Sequence, residues 1–447
     1  MGYVLIPGFL ALCVALGGSS GGGMLPNIAL QLIATLLLAY SVAKFATVSF
    51  SGSAKLLIAI VLCWIGWGVL QLVPLPPSIW TLAPGRDVLE QRLIAGGIAP
   101  LPSLPLSLNP AGTIKHLAAL LPPLAIGAAI LSRPPAEANG LRWAIPLLAF
   151  VSLLIGVAQL ISGQSSPLYF YENTNLDLPV GLMANANHQA TLMLCAIPFV
   201  ASLAGTENAA GSKAKGREML LAAMAVMFLI GIVISRTYAT YVLALPVVVA
   251  SWLIARPRSL GPARYIGPLI VLLTIALLAF VVVAGPAIFA DPTVNATQLS
   301  RPAMYAVTAK ALEHFFPLGS GFGSFPPVYR LFEDPSLVTN VFVNHTHSDY
   351  LELALEGGLP GLLLIAVLFL WWLRRAAAIW FARSPSRIER AAVIATGAIF
   401  CHSIVDYPAR TSAIAAILGA GLALMVPRST DVKVDEAPAG GRHLSAE

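Results

Sequence analysis

The sequence predicts an all-α integral membrane protein, and three observations support this fold class. Hydrophobic residues make up 57% of the 447 residues, and charged residues make up only 10%. The mean hydropathy of the chain is +0.82. Apolar runs long enough to cross a bilayer, about 20 residues each, recur along most of the chain. This composition is typical of a multi-pass membrane protein.

We predict about twelve transmembrane helices from these apolar runs. The first run lacks a basic start, so we interpret it as a span and not as a cleavable signal peptide. The predicted spans, in chain order, are 3–17, 25–43, 56–73, 114–131, 143–162, 187–204, 219–235, 238–254, 266–287, 359–373, 391–407 and 411–426.

The distribution of Lys and Arg predicts that both termini lie inside, because cytoplasmic segments carry an excess of positive charge. With that orientation, the inner segments hold 18 of the 26 Lys and Arg residues. The orientation leaves the basic residues of the outer segments unexplained. These are Arg86, Arg92, Lys115, Arg236, Arg301, Lys310, Arg330 and Arg410.

The same orientation divides the chain into four parts. They are 1–287, with spans one to nine and periplasmic loops near 74–113 and 163–186; 288–358, a large periplasmic loop that contains short helices; 359–426, with spans ten to twelve; and 427–447, a disordered cytoplasmic tail. Within the large loop, a helix that begins at Arg301 and ends at Pro317 is predicted to lie along the membrane surface.

Charge and cysteine content exclude two other classes. The basic pI of about 9.2 does not indicate nucleic-acid binding, because the basic residues lie in segments between spans. The four cysteines lie in apolar runs without Cys-x-x-Cys spacing. We therefore interpret them as small buried hydrophobic residues, not as disulfides or metal ligands.

The stretch 344–361 concentrates polar residues directly before a span. A helix over this stretch would place Asp349, Glu352 and Glu356 on one polar face. The glycine pair that ends with Gly358 would then break or bend this helix.

His347 is the candidate catalytic residue of this stretch. A neutral imidazole can take a proton from a hydroxyl group, and a free imidazole has a pKa of about 6.5. The alternative is a histidine that only caps the following helix. His345 and His347 could instead bind a metal together with Asp349. Because no other residues have metal-site spacing, we predict no metal.

Arg236 and Arg301 are the candidate ligands of a diphosphate. Arg236 ends an apolar run with almost no loop before the next span, so we expect its guanidinium to face a pocket in the bundle. Two guanidinium groups suit a diphosphate, which they can bind bidentately. The alternative is that both contact lipid headgroups or pair with Glu172, Asp177 or Asp406.

Three further polar groups lie near the outer ends of spans or helices. Asn187 and His188 either line a sugar site or cap the helix that they begin. His402 and Asp406 are one helical turn apart, and they either tune the pocket or form a structural hydrogen bond. The glycine-rich loop 319–323 is predicted to be a flexible hinge, since no strand precedes it as a dinucleotide-binding fingerprint would require.

Three motifs together indicate a known family. They are His347-Ser348 followed by Gly358 and Gly361; Ser235-Arg236 at an outer span end; and Arg301 followed at a distance by the run from Pro317 to Phe325. In these motifs the sequence resembles the O-antigen ligase and O-antigen polymerase (Wzy_C-like) superfamily of bacterial membrane glycosyltransferases. The resemblance extends over about 55–425 and implies a GT-C-like arrangement of spans.

The resemblance implies a specific reaction. Such enzymes transfer a glycan from undecaprenyl diphosphate to an acceptor hydroxyl at the periplasmic face of the inner membrane. It further implies that His347 activates the acceptor, that Arg236 and Arg301 hold the diphosphate, and that no metal or other cofactor takes part. We expect His345, Asp349, Asn187, His188 and Asp406 to support this site.

The sequence leaves several functions open. The acceptor is a lipid A-core sugar in a ligase, the growing polysaccharide in a polymerase and a protein in an O-oligosaccharyltransferase. A transporter of small anions is less favoured, because no charged residue lies in the middle of a span. A structural partner in an envelope assembly complex is the remaining alternative.

Overall fold

The computed structural model describes residues 2–21, 25–204, 212–255, 300–338, 343–382 and 386–427. Over these residues the fold is helical, and the strand-like pairing that they show is an isolated bridge between Leu75 and Leu104. The longer helices are α1 (Gly2–Leu16), α2 (Leu25–Ala43), α3 (Gly52–Leu70), α4 (Asp87–Ala95), α5 (Pro110–Ala119), α6 (Leu121–Leu131), α7 (Leu141–Ser162), α8 (Ala186–Leu203), α9 (Ser212–Ile234), α10 (Tyr238–Ala255), α11 (Arg301–Phe315), α12 (Phe325–Phe332), α13 (Asp349–Trp380), α14 (Arg387–His402) and α15 (Ser412–Leu424). Short helices are Pro77–Trp80 and Pro135–Ala138, with 3₁₀ turns at Lys44–Thr47, Pro335–Leu337 and Pro408–Arg410.

Seven helical segments of the described chain are long and apolar enough to cross a membrane. They are Leu25–Thr47, Gly52–Leu70, Pro110–Leu131, Pro135–Ser162, Lys215–Ile234, Tyr238–Ala255 and Asp349–Trp380. Two apolar helices are shorter, Tyr3–Leu16 and Ser412–Leu424. The predicted all-α membrane fold is therefore confirmed, whereas the number of twelve spans stays a prediction. The predicted span 266–287 lies outside the described residues.

Helix α8 lies in the centre of the bundle, where it packs against α7, α9, α10 and α14. All of its residues except Asn187 and Ala201 are buried. A helix enclosed by protein needs no uniformly apolar surface, which explains why α8 carries Asn187, His188 and Gln189 in its first turn.

The predicted span 391–407 extends too far. Helix α14 ends at His402, and the backbone N–H groups of Val405 and Asp406 both donate to the carbonyl of His402, at 3.0 Å each. This turn redirects the chain before Pro408, so Asp406 lies in a loop rather than on a helix.

A second, smaller core lies apart from the main core of the bundle. It contains buried residues of α11, α12 and the start of α13: Met304, Ala311, Phe315, Phe325, Val328, Tyr329 and Leu355. Helix α11 begins at the predicted position, with the Ser300 side chain accepting the Ala303 N–H. This small core fixes α11 against α13.

The glycine-rich loop 319–323 is tightly bound, so the prediction of a flexible hinge is wrong. The N–H of Ser320 donates to the carbonyl of Leu355 at 2.9 Å, and that of Gly321 donates to the carbonyl of Glu356 at 3.0 Å. A Cβ atom on Gly319 would lie 2.6 Å from the Glu356 carbonyl oxygen. Glycine is therefore needed in this loop because the loop backbone lies directly against the backbone of α13, and not because the loop moves.

Helix α13 bends at Gly358, as the sequence predicts. Gly358 has φ 60° and ψ −156° within an otherwise helical segment. A Cβ atom there would lie 2.3 Å from the carbonyl oxygen of Pro317. The bend separates the polar first turns of α13 from its apolar remainder.

We expect Gly358→Ala to destabilise the protein by about 1–3 kcal/mol, the usual cost of a residue forced into such a backbone conformation. The clash with Pro317 adds to that cost. Gly66→Ala is the control, because Gly66 lies in α3 with no neighbouring atom within 4 Å of the added Cβ. Thermal unfolding in detergent measures both, and equal stability of the two variants would contradict this account of the bend.

Candidate active site

The buried carboxylate of Asp406 joins three separate segments of the chain. Nδ1 of His347 lies 3.5 Å from Oδ1 of Asp406, and Nη2 of Arg301 lies 3.5 Å from Oδ2. The side-chain amide of Asn187 donates to Oδ2 as well, and the backbone N–H of Tyr407 donates to Oδ1 at 2.8 Å. The carboxylate therefore accepts contacts from α8, from α11 and from the histidine loop 343–348.

Asp406 is held in its charged form. Burial alone would raise the pKa of this carboxyl group. The hydrogen bond from His347 and the positive charge of Arg301 outweigh burial and hold the pKa well below its usual range. The site therefore keeps a fixed negative charge behind His347.

The imidazole of His347 is partly exposed to solvent. Its side chain is 24% exposed, whereas that of Asp406 is fully buried. Because Nδ1 faces the carboxylate, Nε2 is the ring nitrogen directed away from it. A carboxylate that binds Nδ1–H favours the tautomer with a basic Nε2. This arrangement can accept a proton from a hydroxyl group outside the bundle.

The backbone of His347 is in the left-handed region, with φ 57°. The hydroxyl of Tyr305 donates to its carbonyl oxygen at 2.8 Å. Its ring packs edge-on against Tyr407, with ring centroids 4.9 Å apart. A non-glycine residue adopts this conformation only where surrounding contacts enforce it, so the position of His347 is imposed by the fold.

Arg410 forms a second ion cluster next to Asp406. Its guanidinium lies 3.3 Å from Asp349, 2.9 Å from Glu352 and 3.4 Å from Glu356. The predicted polar face of α13 is therefore real, but it is turned inward onto this one arginine. Burial opposes the charge of Arg410, yet the three carboxylates raise its pKa overall.

His345 and Asp349 lie beside the Asp406 group and have other partners. His345 Nδ1 donates to Glu352 at 2.9 Å, and its ring packs on Tyr407 at 4.4 Å. Asp349 accepts the Ser403 hydroxyl at 2.7 Å. Among the described residues, no group of three or more His, Cys, Asp or Glu side chains could hold a metal ion.

The side chains of Asn187 and His188 diverge at the start of α8. Asn187 contacts Asp406, whereas the buried ring of His188 packs edge-on against Tyr407 at 5.0 Å. His402 Nδ1 lies 2.7 Å from the hydroxyl of Thr191. The Asp406 carboxylate thus meets His347 and Arg301. Of the two alternatives for His402 and Asp406, the structure has a structural hydrogen bond, which runs from the Asp406 N–H to the His402 carbonyl at 3.0 Å.

Arg236 lies at the turn between α9 and α10 with φ 53°. Its neighbours Ser235 and Thr237 are buried, and Arg236 itself is exposed. The turn thus buries the residues on either side of Arg236 and leaves Arg236 itself at the surface, and its role at a diphosphate stays a prediction. Within the described part of the chain, no contact joins Arg236 to His347 or Arg301.

An apolar cavity of about 490 Å³ borders the Arg410 cluster. Side chains of α2, α3, α6, α13, α14 and α15 line it, among them Leu57, Leu124 and Leu418. Asp349 and Arg410 lie at its polar border. The cavity can accept an apolar chain next to the charged region.

Sequence reasoning missed Arg410, Tyr305 and Tyr407. One signal pointed to Arg410: three carboxylates on one face of a membrane-associated helix require a cation if they are buried. Nothing in the sequence marks the Tyr305 hydroxyl as the partner of a carbonyl 42 residues away.

We expect Arg410→Met to lower the free energy of unfolding by about 3–5 kcal/mol, because it leaves buried carboxylates without their counter-ion. Arg92→Met is the control, since Arg92 is an exposed arginine at the end of α4 and surface changes stay within about 0.5 kcal/mol. Unfolding in detergent at neutral pH measures both. A difference between the two variants below about 0.5 kcal/mol, the scatter of such surface changes, would refute the role of Arg410 as a counter-ion.

Comparison with known protein families gives a match over part of the chain. Residues 222–366 match the family model described as O-antigen ligase. This region contains Arg236, Arg301 and His347, whereas Asp406 and Arg410 follow it. Comparison with curated proteins gives no significant match. The resemblance read from the motifs is therefore confirmed over residues 222–366, where this multi-pass membrane protein is similar to the O-antigen ligase family.

Proposed function

We propose that this protein is a glycosyltransferase of the inner membrane with its active site at the periplasmic face. It transfers a glycan from an undecaprenyl-diphosphate donor to an acceptor hydroxyl, in lipopolysaccharide or exopolysaccharide biosynthesis. The observation that carries the proposal is the shared carboxylate: Asp406 contacts both the imidazole of His347 and the guanidinium of Arg301. The O-antigen ligase match over 222–366 supports the reaction class.

In this reaction the acceptor oxygen bonds to the anomeric carbon of the donor glycan. The bond from that carbon to the diphosphate oxygen breaks, and undecaprenyl diphosphate leaves with both electrons. Nε2 of His347 takes the acceptor proton as general base. The negative charge of Asp406 stabilises the imidazolium that forms.

Arg301 is suited to the leaving diphosphate. Its side chain is 41% exposed, and one nitrogen of its fork contacts Asp406 at 3.5 Å. Its other donors are available to a phosphate group, whose charge increases as the bond breaks. In the proposal, Arg236 contributes a second guanidinium to the same diphosphate from the exposed turn between α9 and α10.

The remaining candidate residues have supporting roles in this proposal. Asn187 orients Asp406, and His188 packs behind Tyr407. The apolar cavity beside Arg410 favours a lipid-linked substrate over a free sugar. No metal takes part, since His347 and Arg301 supply the base and the positive charge.

We expect His347→Ala to lower the rate of transfer by about 10²–10⁴-fold, the usual contribution of a general base, without loss of the folded protein. His314→Ala is the control, because His314 belongs to the same outer region and contacts Phe315 and Phe332 instead of Asp406. The assay incubates purified protein with lipid-linked repeat units, with and without lipid A-core.

The products of that assay distinguish the related functions. Glycan attached to lipid A-core indicates a ligase, and longer glycan on the lipid carrier indicates a polymerase. Wild-type product yield from His347→Ala would reject the catalytic role of His347. No product from the wild-type protein with any acceptor would instead favour an anion transporter or a structural partner.

Arg301→Lys should reduce transfer at least tenfold, because lysine cannot bind two phosphate oxygens through a planar fork. Lys310→Arg is the matched control on the same helix, where Lys310 is exposed. Rates at saturating and at limiting donor measure the effect. Unchanged rates for Arg301→Lys would indicate that Arg301 contacts lipid headgroups rather than the donor.

A further inference from the structure

The left-handed conformation of His347 requires contacts that prevent its relaxation. A non-glycine residue in this region costs about 1–3 kcal/mol, so an unrestrained loop would move the imidazole away from Asp406. The Tyr305 hydroxyl fixes the carbonyl side of His347. Its amino-terminal side must be fixed as well, and the two preceding residues show how.

Glu352 binds both residues that precede His347. Its Oε1 accepts from Nδ1 of His345 at 2.9 Å, and its Oε2 accepts from the backbone N–H of Thr346 at 3.0 Å. Glu352 and Thr346 are both buried. One carboxylate therefore holds a side chain and a backbone group of the histidine loop at the same time.

Arg410 prevents Glu352 from turning away. Its Nη1 lies 2.9 Å from the same Oε1 that binds His345. The rest of the guanidinium is bound by Asp349 and Glu356 on neighbouring turns of α13. Glu352 is thus fixed on the rigid first turns of α13, directly after the loop that it holds.

We propose that Glu352 is the positioning residue of His347, and that Arg410 anchors it. Neither side chain contacts the reacting groups, so both act through the geometry of the histidine loop. This inference rests on the proposed glycan transfer only for its kinetic effect. A displacement of about 1 Å at a reacting group can cost about 10²-fold in rate, so the position of the loop decides turnover.

The test compares Glu352→Gln with Glu356→Gln. Both glutamates are buried on the same face of α13 and bind Arg410. They differ in their second partner, since Glu356 accepts from the N–H of Phe325 at 3.0 Å and does not contact the histidine loop. A merely structural role of the ion cluster predicts similar losses for both variants.

We expect Glu352→Gln to lower kcat about 10–100-fold, with a change in the donor KM below about threefold. Glu356→Gln should retain kcat within about threefold, although both variants lose thermal stability. Equal losses of kcat in the two variants, or a change confined to KM, would overturn the positioning role.

Hydrogen exchange of the Thr346 amide tests the same role without any activity. Glu352→Gln should accelerate this exchange at least tenfold, and Glu356→Gln should leave it near the wild-type rate. Equal exchange in both variants overturns the inference. Faster exchange in Glu352→Gln alone, together with a wild-type protein that transfers no glycan, would reject the proposed function and keep the positioning role.

His345→Phe provides a second variant if Glu352→Gln does not fold. Phenylalanine keeps a ring against Tyr407 but removes the Nδ1 contact with Glu352. We expect faster exchange at Thr346 than in His314→Phe, a matched change outside the loop. Identical exchange in these two variants would also overturn the inference.

Discussion

The buried charge of Asp406 is the constraint on which the candidate site depends. A carboxylate removed from water is costly unless charges and hydrogen bonds compensate it. Asp406 is fully buried, and its compensating groups come from α8, α11 and the histidine loop. The need to pair this one charge therefore brings together residues that each lie more than 50 positions before Asp406 in the sequence.

The two ion clusters are joined through backbone as well as side chains. The N–H of Asp349 donates to the carbonyls of Ser403 and Asp406, at 3.0 and 3.1 Å. The first turn of α13, which Arg410 holds, is thereby attached to the turn that carries Asp406. The Arg410 cluster fixes the position at which the histidine loop joins α13. Asp406 fixes the orientation of the His347 ring.

The sequence predicts local features of this region well, because they depend on spacing within one segment. The polar face of α13 follows from the spacing of Asp349, Glu352 and Glu356, and its bend follows from Gly358. The start of α11 follows from a serine before Arg301-Pro302. Each of these features is settled by residues within two or three helical turns.

Pairings between distant segments are not predictable in the same way. Periodicity offered His402 as the partner of Asp406, whereas the fold supplies His347. The pair of Arg301 with Asp406 was only one of several pairings that the sequence left open. Glycine content predicted a flexible loop at 319–323, but composition does not distinguish motion from close backbone contact. The polar residues of α8 make it less apolar than a lipid-exposed span. Its enclosure by four other helices explains why it carries them, and the sequence does not show this enclosure.

A double-mutant cycle on His347 and Asp406 tests the central claim most directly. If the carboxylate acts through the imidazole, Asp406→Ala should lower the transfer rate strongly in the wild type but by less than about threefold in a His347→Ala background, since residues that act as a unit are non-additive. Measurement of kcat for the four proteins decides the matter. Equal effects of Asp406→Ala in both backgrounds would show that the two residues act independently, and would contradict this account.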